Sequence, residues 1–342
     1  MMFSLVEMLR YMRPQYCGTQ ELFCERFLEP IFGLPDRHGN YTHIVFGDDG
    51  KYPNICFTAH HDTVHKVGGM QNVLVIDDVV SVADRTVSSC LGADCTTGIW
   101  LMLNMIEAGV VGTYVVHDSE EIGCKGSSAL VKDNPFWLES LDAVISFDRF
   151  GDKSIITHQS GRRTASEAFA DSFALAVGMP QLQPDDGGSY TDSNEYINVV
   201  SECTNISVGY YNQHSSNETQ DLRYANALCA SLISADWSLL VFKRDKTIIE
   251  ELWWGRGWEH DAFYGDSSND QITRATEYED DGCSFAVDDI EDVILFNTRA
   301  VAKLLRQYGY DADTLIDEIG AKDINLGAPS VNNYVNKVCS NA

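Results

Sequence analysis

The sequence predicts an α/β fold, with a mixed, mostly parallel central sheet flanked by helices on both faces and a small helical C-terminal appendage. Three observations predict it. Short apolar runs alternate with helical segments through the first 240 or so of 342 residues. Runs such as Ile55-Cys56-Phe57 are apolar at consecutive positions, as strands covered on both faces are. Past about residue 245 the texture changes to a Trp-rich and then acidic stretch, after which helical spacing returns.

The elements follow in order. Residues 4–12 and 19–27 carry helical periodicity, the second with Thr19 placed as N-cap. Strands are expected at 41–46 and 55–59, then a Val- and Ile-rich hairpin over 73–90 that turns at Asp77-Asp78. An apolar helix spans 96–108 and closes at Gly109, followed by a buried strand at 113–117 and a helix at 127–132. Strands at 142–147 and 154–158, a helix at 165–177 and a strand at 205–211 come next. A long amphipathic helix over 222–242 aligns Leu222, Ala225, Leu228, Leu232 and Ile233 on one face. The chain thus divides into a domain at 1–245 and an acidic linker with a small helical appendage at 246–342. In the appendage Ile290, Val293, Ile294, Val301, Leu304, Leu305 and Tyr308 recur at helical spacing, so this stripe must pack on the core, on a second copy as a homo-oligomer, or on a partner.

Composition narrows the function. A formal net charge of -27 repels nucleic-acid backbones and anionic membrane surfaces, and it suits cations or substrates with a free amine. Solubility accounts for much of that charge. No stretch is long and apolar enough to cross a membrane, and the first residues lack the layout of a signal peptide. The ten cysteines form no Cys-x-x-Cys pair and mostly sit in apolar runs, so a reduced, cytoplasmic protein is expected and Asn217-Glu218-Thr219 is a chance match to a glycosylation site.

Five separated segments place His, Asp or Glu where an apolar strand ends, which is where open α/β sheets bind ligands. In His60-x-Asp62 an imidazole can bind metal while a carboxylate two residues on holds its other nitrogen. Asp94 follows a Gly-containing loop, and its two oxygens can bridge two ions. Glu120 and Glu121 are adjacent and point apart, so one can bind metal while the other faces a water; carboxylates this close call for a cation. Asp148 ends a buried strand, where an unpaired carboxylate is costly, and His214 adds a second nitrogen donor.

These motifs closely resemble the co-catalytic dinuclear zinc exopeptidases, the clan that contains metallopeptidase family twenty-eight. The resemblance covers roughly residues 40–240 and rests on His60-x-Asp62, Gly92-Ala93-Asp94, Glu120-Glu121-x-Gly123-x-x-Gly126-Ser127, Asp148 and His214 in that order. It implies a zinc exopeptidase (phosphorylase/hydrolase-like) fold and two divalent metal ions, Zn2+ first, with Co2+ or Mn2+ as alternatives. It implies one metal held by His60 and Asp148, the other by Glu121 and His214, with Asp94 bridging. Asp62 would orient His60, and Glu120 would be the general base. Glu218 and the Gly187–Ser193 segment resemble supporting positions in relatives. The sequence departs from the pattern where Cys95 follows the bridging aspartate in place of an acidic residue, and Cys124 stands in the loop after the glutamate pair. The spacings 60–94 and 148–214 leave no room for the lid or inserted domains of other branches, which implies an aminopeptidase acting on peptides with a free amine.

Plainer readings stand beside these. Asp62 and Asp94 also suit helix or turn caps, and Glu120-Glu121 a solvated pair. His61, His65 and His117 lie near the same loops, Tyr210 or Tyr211 is a packing residue or an oxyanion donor, and Arg149 serves the site or a structural ion pair. An N-acyl amino acid or small-amide amidohydrolase would use the same site. A glutaminyl-cyclase-like acyltransferase would keep one zinc, against which the intact His60 and Asp94 argue, and an inactive scaffold binding a partner through its C-terminal appendage would not need the five ligands and the base that are all retained.

Overall fold

A computed structural model describes residues 3–249. The proposed linker and appendage lie outside the described residues from position 250 onward, as does the Trp253–Trp258 cluster. The strands that build the site are β1 (Tyr41–Val45), β2 (Ile55–His60), β3 (Val73–Ile76), β4 (Val79–Val82), β5 (Gly112–His117), β6 (Ala143–Arg149), β7 (Ser154–Ile156), β8 (Gln183–Asp185), β9 (Glu202–Ser207), β10 (Tyr210–Tyr211) and β11 (Thr219–Asp221). The helices are α1 (Gly18–Phe23), α2 (Ala93–Glu107), α3 (Lys125–Asp133), α4 (Glu167–Ala176) and α5 (Leu222–Ile233).

Seven strands form one sheet in the order β8-β7-β9-β6-β2-β5-β1. Its centre, β9-β6-β2-β5, is parallel, whereas β1 on β5 and β7 on β9 are antiparallel and β8 rejoins parallel to β7. The mixed, mostly parallel α/β sheet expected from the sequence is therefore present. Strand periodicity sorts its side chains into two cores. Phe57, Ala59, Ile145 and Phe147 face α2 and α4, while Cys56, Val115 and Val144 face a second cluster with Leu130, Trp137 and Tyr196. Phe57 stacks on Phe147 with ring centroids 5.8 Å apart. Burying one such ring stabilises the fold by roughly 1.5–3 kcal/mol. A smaller antiparallel sheet, β10-β11-β4-β3, stands beside the main one.

Several boundaries differ from the sequence reading for local reasons. The first helix shortens to Leu5–Met8 because Tyr11–Met12 pair with Gly69–Met70. Thr19 lies inside α1; Cys17 is its N-cap, and its Sγ accepts the Gln20 amide at 3.4 Å. The hairpin closes within 73–82, where Asp77 and Asp78 take positive φ as a two-residue turn requires. The expected strand at 205–211 is two: Gly209 at φ +90 turns the chain from β9 into β10, and a Cβ there would meet Tyr224 at 2.6 Å. The helix expected over 222–242 stops at Ile233; Asp236 then caps a short turn, and Trp237 folds back onto Phe57. Among the described residues, no helix is long and apolar enough to cross a membrane.

Candidate metal centre

Parallel pairing of β5, β2 and β6 brings their C-terminal ends to one edge of the sheet. His60 ends β2, the Asp118–Glu121 loop follows β5, and Asp148 lies near the end of β6. The start of α2 adds Asp94, and the β10–β11 loop adds His214. All five candidate ligands and the candidate base therefore meet, although they are spread over 155 positions of chain from 60 to 214.

Asp94 sits between two groups. Its Oδ1 lies 3.2 Å from His60 Nε2, which is also 3.4 Å from Asp148 Oδ1. Its Oδ2 lies 3.2 Å from His214 Nε2, which is 3.4 Å from Glu121 Oε1. Glu120 stands to one side, with Oε2 3.9 Å from His60 Nε2. The pairs His60/Asp148 and His214/Glu121 are thus those drawn from the resemblance.

His60, Asp148 and the glutamate turn are held from behind. His60 Nδ1–H donates to the Asp62 carbonyl at 3.0 Å, with the Asp62 carboxylate at 3.5 Å, so Nε2 is the nitrogen that faces the site and would offer its lone pair to a metal once deprotonated. The Asp62 carboxylate accepts the backbone amides of both Glu120 and Glu121 at 3.1 Å, which fixes the glutamate turn relative to His60. Asp148 Oδ2 accepts the Thr191 hydroxyl at 2.8 Å, and Asn205 clasps the Asp148 backbone on both sides. Gly126 permits the loop's close approach, since a Cβ there would meet the Asp118 carbonyl at 2.5 Å.

Charge shows what the residues fit. Burial alone lowers the His60 pKa, but nearby anionic charge, Asp148 foremost, lifts it well above the ordinary imidazole value. Hydrogen bonds to Asp94 and Glu121 raise His214 to about 11. Burial, then the charges of Asp148, Asp192 and Glu121, drive Glu120 well above the usual carboxylate range against the pull of His60. Protons are thus drawn to the places where donor atoms crowd, as expected of a cluster built around cations. Apart from their 3.4 Å approaches to the His60 and His214 imidazoles, buried Asp148 Oδ1 and Glu121 Oε1 make no hydrogen bond among the described residues. Buried oxygens this weakly paired are costly unless a cation takes them. Two imidazole nitrogens with carboxylate oxygens are a donor set suited to zinc. His60, Asp94 and Glu121 offer atoms within 4.8 Å of one another, as do His60, Cys95 and Asp148.

The alternative residues are engaged elsewhere. His61 bonds Gln20, His65 bonds Thr63, and His117 bonds Asn40 and Tyr196. The Tyr210 hydroxyl donates to the Asp148 carbonyl, and Arg149 spans the Gly187 carbonyl and Asp185. Cys95 is buried, its thiol donating to the Phe147 carbonyl. Thr191 and Asp192 belong to the Gly187–Ser193 segment that the resemblance marks as supporting, and Asp192 is buried and accepts the Ser127 hydroxyl, whereas the sequence singled out no role for Asn205.

Glu218 has the most connected supporting role. Its buried carboxylate accepts four successive backbone amides, Leu91 to Asp94, at 2.8–3.2 Å. These include the orphan donors at the start of α2, so Glu218 holds the Asp94 loop in place. Glu218→Ala is expected to cost about 3 kcal/mol in chemical denaturation and to weaken metal binding roughly 10–100-fold. Wild-type stability and metal affinity in that variant would show the clamp to be idle.

The sequence matches no protein-family model and no curated protein. Solved structures do match the fold. The aminopeptidase PepT from Bacillus cereus superposes with a TM-score of 0.52 at 13% identity, over 67% of this chain and 96% of that one. A tripeptidase from Staphylococcus aureus gives 0.52 at 14% identity, over 67% and 95%. An aminopeptidase from the archaeon Desulfurococcus kamchatkensis gives 0.51 at 14% identity, over 67% and 93%. The chain therefore has the fold of these aminopeptidases, the fold that the motif resemblance implies.

Proposed function

We propose that the protein is a metal-dependent exopeptidase, an aminopeptidase that removes N-terminal residues from peptides. The observation that carries this reading is Asp94, whose two oxygens each face a separate His and carboxylate pair. His60 and Asp148 would hold one divalent ion, His214 and Glu121 the other, with Asp94 between; zinc suits these donors. When bound, such a pair supplies Lewis-acid chemistry, an acidified water and a polarised scissile carbonyl.

The chain's own residues do the rest. Glu120 is the general base: it stands beside the ligands rather than among them, takes a proton from the attacking water and delivers it to the leaving amine. Asp62 keeps that base and the Glu121 ligand in register with His60 through the two amides it accepts. The acidic site attracts a substrate's free α-amine. The eight described cysteines are all free, which supports a reducing, cytoplasmic setting.

Aminoacyl anilides test the substrate end. Free-amine compounds are expected to be hydrolysed and their N-acetyl counterparts to be cleaved at least about 100-fold more slowly, since an acetylated nitrogen carries no charge for the acidic site to bind. Preferential cleavage of the acetylated series would replace the aminopeptidase with an amidohydrolase.

A further inference from the structure

Next to the candidate metal centre is a cleft of about 560 Å³ that shares His214 with it. Met12, Val64 and Val87 supply apolar wall, and Lys66 and Arg85 reach the same space. The ionic balance there runs against that of the molecule. The chain has 51 Asp and Glu against 24 Lys and Arg, yet no Asp or Glu is among the described residues that line this cleft. Lys66 and Arg85 are both exposed, and neither head group has an ion-pair partner among the described residues. Two cations with no ion-pair partner among the described residues, beside an acidic centre, form a local positive spot where the overall field repels anions.

We infer that this cleft receives a carboxylate of the substrate, so that the enzyme selects peptides carrying an anionic group near the scissile bond. This inference rests on the aminopeptidase reading. Because His214 lines the cleft, a substrate engaged at the metal centre would extend past His214 into it. There the Arg85 guanidinium offers paired N–H donors to a carboxylate, and the Lys66 ammonium adds a point charge. A molecule of net charge -27 gains little from attracting anions generally, so any preference has to arise locally. The carboxylate has two sources, the acidic side chain of an N-terminal residue or the free C-terminus of a short peptide.

Two matched pairs separate those sources in the full-length, metal-loaded protein. Glutamyl and glutaminyl p-nitroanilide differ only at the side chain; Leu-Gly-Gly and its C-terminal amide differ only at the C-terminus. The carboxylate member of at least one pair is expected to show a kcat/KM about tenfold higher or more. In the Lys66→Ala/Arg85→Ala variant that ratio should collapse toward one; a general loss of activity would leave the ratio unmoved. The inference is overturned if neither pair shows a preference, or if the preference survives in the double variant. Hydrolysis of none of these compounds would count against the aminopeptidase reading. Calorimetric binding of the same pairs, which needs no turnover, then decides the cleft: a carboxylate preference lost in the double variant upholds it, and equal binding overturns it.

Discussion

Glu120→Gln is expected to retain the full complement of metal and to lose roughly 10²–10⁴-fold or more in kcat. Glutamine keeps the shape of the side chain and removes its ability to accept a proton. The backbone amide that Asp62 receives from position 120 is unchanged by the substitution, so the turn should persist. The geometry separates this residue from its neighbour. Glu121 Oε1 lies 3.4 Å from His214, within the crowd of donor atoms, while the closest approach of Glu120 to an imidazole is 3.9 Å from His60. Metal analysis beside steady-state kinetics reads both halves of the prediction. A variant that loses a metal ion would exchange the roles of the two glutamates. A variant that keeps its metal and its activity would remove Glu120 from the mechanism.

What the sequence made legible follows from what each residue has to do. A residue at the end of an apolar run, or in the loop beside it, announces itself by chemical contrast, and His60, Asp94, Glu121, Asp148 and His214 all stand at such places. The parallel pairing of β2, β5 and β6, itself readable from uninterrupted apolar runs, then brings them to one edge. Glu218 was legible only through the motif resemblance and Asn205 not at all, because their partners are backbone groups far along the chain. Glu218 reaches amides 124 to 127 positions away, and Asn205 grips Asp148 across 57. Neither leaves a periodic trace. Helix ends failed for a related reason: Trp237 continues the apolar pattern past Ile233, but its ring is needed against Phe57 and Phe173, so packing overrides periodicity. The expected appendage falls outside the described residues, so its stripe of apolar positions remains a feature of sequence alone.

Replacing Asp94 tests the centre as a whole. Wild-type protein reconstituted after chelation is expected to saturate at about two divalent ions per chain, the number a bridging carboxylate between two donor pairs implies. Asp94→Ala removes both oxygens at once, the one 3.2 Å from His60 and the one 3.2 Å from His214. The remaining Asp148 and Glu121 would leave each site one anionic ligand, too few to offset burial of two cations side by side. Stoichiometry should fall to one or below, with kcat/KM down by at least about 10³-fold, the upper scale of losing one electrostatic stabiliser of a transition state. Asp94→Asn is the sharper variant. It keeps one carbonyl oxygen and puts an N–H₂, which cannot ligate a cation, in place of the other. One ion should therefore remain and one should be lost. Isothermal titration and metal analysis of the two variants distinguish this from a merely structural Asp94. If the aspartate only capped α2, asparagine, an equally good cap, would bind two ions and turn over normally. Saturation of the wild type at a single ion with full activity would instead fit the one-zinc acyltransferases, and the second donor pair, His214 with Glu121, would then need a different explanation.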